Sequence, residues 1–384
     1  QLAHYLEYTY PDHPPVEVLA FHYGHSENTA KQRKYFRKAG DAALKVSAFT
    51  TAVDYLKRLL EITPQEEAEY PSLALDLAET YHRMSDFANV HVAVERAYTT
   101  AHNDLHRITA RTILAETLST TGQHAEVHNI LTEIMPLARA TGDPQTLGRV
   151  LSAWGVSEWN LGNLDASRLA QEEALALARA MGDTTRELHV LFRLGTVNAA
   201  LDNPDTATQL IQESYTKAKA VGNREREMAA LTTLGAIADG WENTLEAKAY
   251  YHQALALARE LGVQHYIALN QVNLATSYLT LGELPAARAE LRQGLALALR
   301  NGSFIWVVAA VQIFAEIIYA EGDAERAFAL LGLVSHHPAW SSMNQRHLKR
   351  TLEAWGIDQA GFETKSAKGI ELNWDATIQE LLEE

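Results

Sequence analysis

Five glycines recur along the chain at an unbroken spacing of forty residues: Gly142, Gly182, Gly222, Gly262 and Gly302. A fixed period of this length is typical of stacked repeats, in which each repeat contacts mainly its neighbours. Only glycine adopts the left-handed conformation after a helix at little steric cost, so these glycines predict regularly spaced helix ends. The chain is therefore predicted to be an α-α solenoid, with its function on a curved surface rather than in a catalytic pocket.

Each repeat contains two amphipathic segments, because its apolar residues follow the i, i+3, i+4, i+7 spacing of a buried helix face. In the repeat from residue 188, Leu191 and Leu194 lie in the first helix, and Ala207 and Ile211 lie in the second. A small residue recurs at one position of the first helices, where we expect two helices to approach closely. These small residues are Gly155, Gly195, Gly235, Ala275 and Ala315.

This pattern of Leu-Gly, aromatic and Ala positions resembles the tetratricopeptide repeat, with each helix lengthened by about one turn. The resemblance covers residues 33–334 and implies an all-α fold, a right-handed superhelix of about eight helical hairpins. The third repeat fits least well, because Pro136 lies inside its second helix and is expected to kink it. The predicted repeats start near residues 33, 71, 108, 148, 188, 228, 268 and 308.

The two ends of the chain depart from the period. Residues 1–32 are rich in proline and are predicted to form an N-terminal junction or capping segment. Residues 335–384 lose the forty-residue period but keep helical patterns. Because a solenoid must cover its last apolar face, we interpret this tail as a helical C-terminal cap on the array of residues 33–334.

Composition narrows the classes of partner. The formal net charge of −15 disfavours nucleic acid, which requires a clustered basic surface. No apolar run is long enough to cross a membrane, and no signal peptide opens the chain. The chain has no cysteine, which fits a reducing compartment, and we expect a cytoplasmic protein.

The sequence lacks a pattern that carries catalytic chemistry. His124 and His128 are spaced like the histidines of a metalloprotease helix, but Glu126 does not directly follow the first histidine as that chemistry requires. The pair His336 and His337 is an equally weak metal signal. No phosphate-binding glycine loop and no nucleophile motif occur. We therefore expect no enzyme activity, no cofactor and no metal in this chain.

Two segments near the start resemble the junction that follows the nucleotide-binding module in bacterial STAND-type signalling NTPases. They are Leu19–Tyr23 (LAFHY) and Tyr35–Leu44 (YFRKAGDAAL). In that family, which includes maltose-activator-like and NLR-like proteins, the repeat array is the sensor, and ligand binding relieves autoinhibition. The resemblance implies a non-enzymatic sensor that binds a protein or peptide. Because Gln1 is not Met, the chain is interpreted as a fragment whose NTPase and effector domains lie outside it.

Helical periodicity also predicts which side chains line the concave groove of the array. Trp159 and Phe192 are the large aromatic residues there, the type that dominates binding energy at interfaces. Arg149 and His189 beside them are predicted to hold a carboxylate or carbonyl group of the partner. The predicted groove residues are Arg149, Ser152, Trp159, Asn160, His189, Phe192, Thr196, Thr232, Asp239 and Thr276.

Two other functions fit the same sequence. One is a free-standing tetratricopeptide adaptor that scaffolds protein complexes. The other is a small-molecule-sensing array of a transcription regulator, which an enclosed pocket near Trp159 and Phe192 would favour over an open groove.

Overall fold

The computed structural model describes residues 2–10 and 14–384, apart from the side chains of residues 342 and 343. Gln1, on which the fragment interpretation rests, lies outside the described residues. The described chain consists of helices and short turns without a strand, as predicted for an all-α array. It divides into two compact units, Gln1–Val190 and Leu191–Glu384, each described here by itself.

The helices follow one another with short connections. In the first unit they are α1 (Leu2–Thr9), α2 (Val16–Gly24), α3 (Thr29–Lys45), α4 (Phe49–Glu61), α5 (Tyr70–Arg83), α6 (Phe87–Thr99), α7 (Asp104–Thr120), α8 (His124–Thr141), α9 (Pro144–Asn160) and α10 (Leu164–Met181). The division between the units falls within α11 (Thr184–Ala200). In the second unit they are α12 (Pro204–Ala220), α13 (Arg224–Gly240), α14 (Thr244–Leu261), α15 (Gln264–Thr280), α16 (Leu284–Arg300), α17 (Phe304–Ala320), α18 (Ala324–Ser335), α19 (Ser342–Trp355), α20 (Gln359–Ser366), a 3₁₀ turn at Ala367–Glu371 and α21 (Trp374–Glu383).

Helices α3 to α18 form eight consecutive hairpins, which confirms the predicted tetratricopeptide-type repeat. The odd-numbered member of each pair is called the first helix below, and the even-numbered member the second. From α7 onwards each first helix begins four residues before the repeat start read from the sequence, for example at Asp104 instead of residue 108. Helix α8 continues through Pro136 to Thr141, so this proline does not end the helix.

All five glycines of the forty-residue series have the predicted left-handed backbone, with φ between 64° at Gly302 and 71° at Gly222. No atom lies within 4 Å of the position that a Cβ would take at any of them. The backbone conformation, rather than crowding, therefore selects glycine at these helix ends.

A second left-handed series, offset by twenty residues from the first, occupies the turn inside each of the last six hairpins. Four of its members are glycine: Gly122, Gly162, Gly282 and Gly322. The other two are Asp202 and Glu242, with φ of 64° and 60°. A side chain in this conformation costs about 1–2 kcal/mol for an L-residue, and only Asp among the two visits it readily. The sequence pattern did not predict a left-handed backbone at Asp202 or Glu242.

We expect Glu242→Gly to stabilise the protein by about 0.5–1 kcal/mol, because it relieves the left-handed strain and loses only part of that gain to unfolded-state entropy. The Glu242 side chain is exposed and makes no ion pair with the residues that the structure describes, so the change is confined to the backbone. The urea unfolding midpoint measures the effect. The reverse control is Gly282→Ala, which should lower the midpoint by a similar free energy. An unchanged or lower midpoint for Glu242→Gly would contradict this account.

The small residues of the first helices lie where the two helices of a hairpin approach closely, as predicted. A Cβ at Gly195 would lie 2.6 Å from the Ile211 side chain, and one at Gly235 would lie 2.6 Å from the Tyr251 ring. Both distances are shorter than any real Cβ contact. These glycines therefore let the large residues of the second helices pack directly on the first-helix backbone.

The N-terminal helices pack onto the first hairpin through the two segments that resemble the NTPase junction. Leu19 and Tyr23 of α2 are buried, and the Tyr23 ring stacks on Tyr35 of α3 with centroids 5.2 Å apart. Glu7 of α1 accepts hydrogen bonds from the Tyr23 hydroxyl at 2.9 Å and from Lys31 Nζ at 2.6 Å. The Lys31 hydrogen bond is the largest of the effects that lower the pKa of Glu7. These segments thus have a packing role in the fold.

Helix α19 lies against the last hairpin through polar and aromatic contacts. Gln312 and Asn344 exchange two hydrogen bonds of 3.1 and 3.3 Å between α17 and α19. One turn along, His347 Nε2 lies 2.7 Å from Glu316 Oε1. At the far end the Tyr319 and Trp355 rings stack, with centroids 3.6 Å apart. Helix α19 therefore covers the stripe of α17 that the repeat pattern would otherwise leave open.

The His347–Glu316 pair makes the stability of the contact between α17 and α19 dependent on pH. Burial disfavours the imidazolium, but the hydrogen bond and charge of Glu316 outweigh burial and raise the pKa of His347 above its usual 6.5. Asp239 adds to this rise and Arg350 opposes it. Since the folded pKa exceeds the unfolded value, the pair stabilises the fold fully below the unfolded pKa, and its contribution is lost as pH rises through the folded pKa.

We therefore expect His347→Gln to lower the urea unfolding midpoint more at about pH 6 than at about pH 9. The matched control is His91→Gln, which changes an exposed histidine of α6. It should show no comparable pH-dependent difference. An equal loss for His347→Gln at both pH values would disprove the charged pair.

Candidate functional site

The first helices of the first unit carry a cluster of one arginine and two glutamates, here called the Arg149 cluster. Arg149 of α9 donates from Nη1 to Glu79 Oε1 of α5 at 2.5 Å. It also donates to both carboxylate oxygens of Glu116 in α7, at 2.7 and 3.1 Å. Burial disfavours the charge of Arg149, but the two carboxylates outweigh burial and raise its pKa. Three successive first helices are thereby joined by one guanidinium.

This geometry changes how Arg149 contributes to binding. The sequence analysis predicted that it holds a carboxylate of the partner, and the structure places it on two carboxylates of the chain itself. The cluster carries one positive and two negative charges. A partner that contacts it therefore meets an excess of acid, although the side chains remain partly open to solvent.

A second acidic excess lies on α3 and α5. Arg37 donates to Asp76 at 2.7 Å and pairs with Asp41 at 3.2 Å. Burial is the largest effect on Asp76 and raises the pKa of its carboxyl, which the charge of Arg37 only partly opposes. Both clusters have one more carboxylate than guanidinium groups, so each carries an excess of negative charge.

We expect Arg149→Met to destabilise the protein by about 1–2 kcal/mol, because it leaves two partly buried carboxylates without their cation. The matched control is Arg139→Met, which removes an exposed bidentate pair with Glu173. That change should cost no more than about 0.5 kcal/mol. Urea unfolding measures both. Equal effects of the two variants would show that the Arg149 cluster contributes no more than a surface ion pair.

The other predicted groove residues of the first unit differ in how accessible they are. Trp159 is 38% exposed at the last turn of α9 and has no aromatic partner among the described residues. Asn160 beside it is exposed, with Nδ2 3.5 Å from Ser119 Oγ. Ser152 is half-buried, and its carbonyl accepts a hydrogen bond from Gln171. His189 is exposed. Trp159 is thus the large apolar side chain that this set offers to a partner.

In the second unit Phe192 and Thr196 lie on α11. The guanidinium carbon of Arg226 lies 4.7 Å from the centroid of the Phe192 ring, within the range of a cation–π contact. Thr196 is half-buried and donates from its hydroxyl to the Phe192 carbonyl at 2.7 Å. The sequence analysis selected Phe192 but missed Arg226, because Arg226 precedes the first core position of its repeat.

Three further predicted residues occupy the neighbouring first helices. Thr232 is only 7% exposed and exchanges hydrogen bonds with Asn270 of α15 at 3.1 and 3.2 Å, so it joins two helices rather than facing an open groove. Asp239 is half-buried, and burial raises the pKa of its carboxyl. Thr276 is half-buried and donates to the Val272 carbonyl. Of these three, Asp239 carries a group suited to a polar partner.

The histidines that resemble a metal motif have other neighbours. His128 Nδ1 lies 3.1 Å from Glu158 Oε1, and its ring lies 5.0 Å from the Trp154 ring. The His337 ring stacks on Trp374, with centroids 4.3 Å apart. The described residues contain no group of three or more His, Asp or Glu placed to hold a metal ion. Within the same part of the chain, no helix combines the length and apolar character needed to span a membrane.

Comparison of sequences alone identifies no relative. No protein-family model matches the chain, and a search of curated proteins finds no match.

Solved structures do share the fold. A STAND protein with a tetratricopeptide repeat sensor from Pyrococcus horikoshii superposes with a TM-score of 0.63 and 14% identity, over 86% of this chain and 49% of its own. The apo form of RapI gives 0.54 and 12% identity, over 71% of this chain and 99% of its own. A Rap protein in complex with competence and sporulation factor gives 0.50 and 15%, over 70% and 81%.

These similarities establish the class of the molecule. It is a tetratricopeptide-type array of helical hairpins, and it resembles the sensor-bearing STAND protein in fold. The chain spans about half the length of that STAND protein.

Proposed function

We propose that this chain is a non-enzymatic recognition array that binds a protein or peptide on the face formed by its first helices. The observation that carries the proposal is the repeated hairpin fold, in which side chains of successive first helices meet, as Arg149 of α9 meets α5 and α7, and some, such as Trp159, stay accessible. In the first unit Trp159 supplies aromatic contact area and the Arg149 cluster supplies charge, and in the second unit Phe192 supplies aromatic contact area. The Rap protein of similar fold is complexed with competence and sporulation factor.

We further propose that the array is the sensor of a larger STAND-type regulator in the cytoplasm. Partner binding would relieve autoinhibition of an NTPase module that lies outside the chain. The support is the fold shared with a STAND protein that has such a sensor, together with the junction-like segments of α2 and α3, which pack against each other. This assignment requires no cofactor or metal within the chain.

The complete reading frame tests the sensor role against the adaptor role. A frame that continues upstream into a segment with G-x-x-x-x-G-K-[ST] supports the sensor, because that loop holds nucleotide phosphates. A start codon directly upstream supports the free-standing adaptor. Native mass spectrometry of protein purified from its source host addresses the third candidate, since a retained small mass would favour a small-molecule sensor.

We expect Trp159→Ala to weaken partner binding by about 2 kcal/mol or more while the fold is retained, as for an interface hot spot. Isothermal titration with the isolated partner measures the change. Trp241→Ala is the control, because Trp241 is a similarly exposed tryptophan in the turn after α13. Unchanged affinity for Trp159→Ala, or an equal loss for Trp241→Ala, would remove Trp159 from the binding site.

A further inference from the structure

Arg226 is placed differently from the arginines around it. Two residues earlier on α13, Arg224 pairs with Glu227 at 3.0 Å and with Glu260 at 2.7 Å. The Arg226 guanidinium has no carboxylate within ion-pair distance in the described part of the chain, and it rests on the Phe192 ring. A half-buried cation in a protein of formal charge −15 thus lacks an ionic partner.

The electrostatic surroundings of Arg226 agree with this arrangement. Burial is the largest effect that lowers the pKa of Arg226, and the nearby charge of Arg193 lowers it further. Glu225 and Tyr266 oppose this change only in part. Because a guanidinium stays protonated in proteins, its charge persists in this position with only this partial compensation from the described residues. An incoming anion would complete the compensation.

Tyr266, at the start of α15, provides a second group without a partner. Its hydroxyl makes no hydrogen bond within the described residues, and burial raises its pKa. Its ring packs against the apolar cluster around Met228 and Leu257, which fixes the side chain. Phe192 is fixed in the same way against the cluster that contains Ala230 and Leu234. The structure therefore combines the Arg226 guanidinium with two aromatic rings that are packed against apolar clusters. One of these rings, Tyr266, carries a hydroxyl that donates no hydrogen bond within the described residues.

We propose that Phe192, Arg226 and Tyr266 form a subsite for a carboxylate carried by a peptide partner beside an apolar side chain. Arg226 presents the planar pair of N–H groups that matches a carboxylate, and the Tyr266 hydroxyl donates to the same anion. The Phe192 ring contacts the neighbouring apolar group. The subsite rests on the proposed recognition function and adds the chemical class of the bound group.

The test compares small probes that differ in one charge. N-acetylphenylalanine carries a terminal carboxylate beside an aromatic ring, and its primary amide is the neutral counterpart. N-acetyl-aspartyl-phenylalaninamide carries the carboxylate on a side chain instead. Saturation-transfer difference NMR titrations of the whole chain give the dissociation constants. We expect at least one of the two acids to bind about tenfold more tightly than the amide, and the stronger acid identifies the source of the carboxylate.

Matched variants locate the effect. Arg226→Gln should abolish the preference for the acid, Arg226→Lys should keep part of it, and Tyr266→Phe should reduce it a few-fold. Arg224→Gln should leave the preference intact, because that arginine is already paired with Glu227 and Glu260. Circular dichroism and the urea midpoint show whether each variant is folded.

Equal binding of acid and amide to the unaltered chain would overturn the proposal, and so would the absence of binding by every probe. An equal loss of preference in Arg224→Gln and Arg226→Gln would also overturn it. These failures would leave the recognition function standing, because the Trp159→Ala measurement tests that function on different residues.

Discussion

The left-handed backbone at the helix ends from α7 to α17 is the constraint on which the array depends. From Gly122 to Gly322 such a residue occurs at every step of twenty residues, alternately inside a hairpin and between hairpins. Helix length is thereby fixed, and equivalent positions of successive helices lie in register. Gly155, Gly195 and Gly235 of successive first helices then each meet a large residue of the second helix, as Gly195 meets Ile211. The regular turns therefore bring about the close packing of the two helices, and a stable core follows from both.

The fold was predictable from the sequence because the turns and the close helix contacts require glycine or another small residue at regularly spaced positions. The same reasoning missed the left-handed backbone at Asp202 and Glu242, because neither residue type indicates that conformation as strongly as glycine does. Repeat starts were placed four residues late because apolar periodicity begins with the first core residue, whereas the helix begins at its cap.

The candidate site was less predictable for a physical reason. Periodicity assigns a side chain to a face, but the partner it finds there belongs to another repeat. Arg149 was predicted to hold a carboxylate or carbonyl of the partner, and the structure places it on two carboxylates from α5 and α7. Thr232 was assigned to an open groove and instead bonds Asn270 on the next first helix. Such contacts depend on how neighbouring helices are aligned, which no single repeat reveals.

Compensation of charge decides which of these groups gives binding energy to a partner. A carboxylate approaching Arg149 competes with Glu79 and Glu116, which already hold the guanidinium, so little would be gained. A carboxylate approaching Arg226 finds a cation held against Phe192 that has no ionic partner among the described residues, so none of their ion pairs must be broken. The first arginine therefore joins neighbouring repeats, whereas the second is available for recognition. One arginine on a first helix can thus contribute to stability and another to binding. The presence or absence of neighbouring carboxylates, rather than the residue type, determines which of the two roles each arginine has.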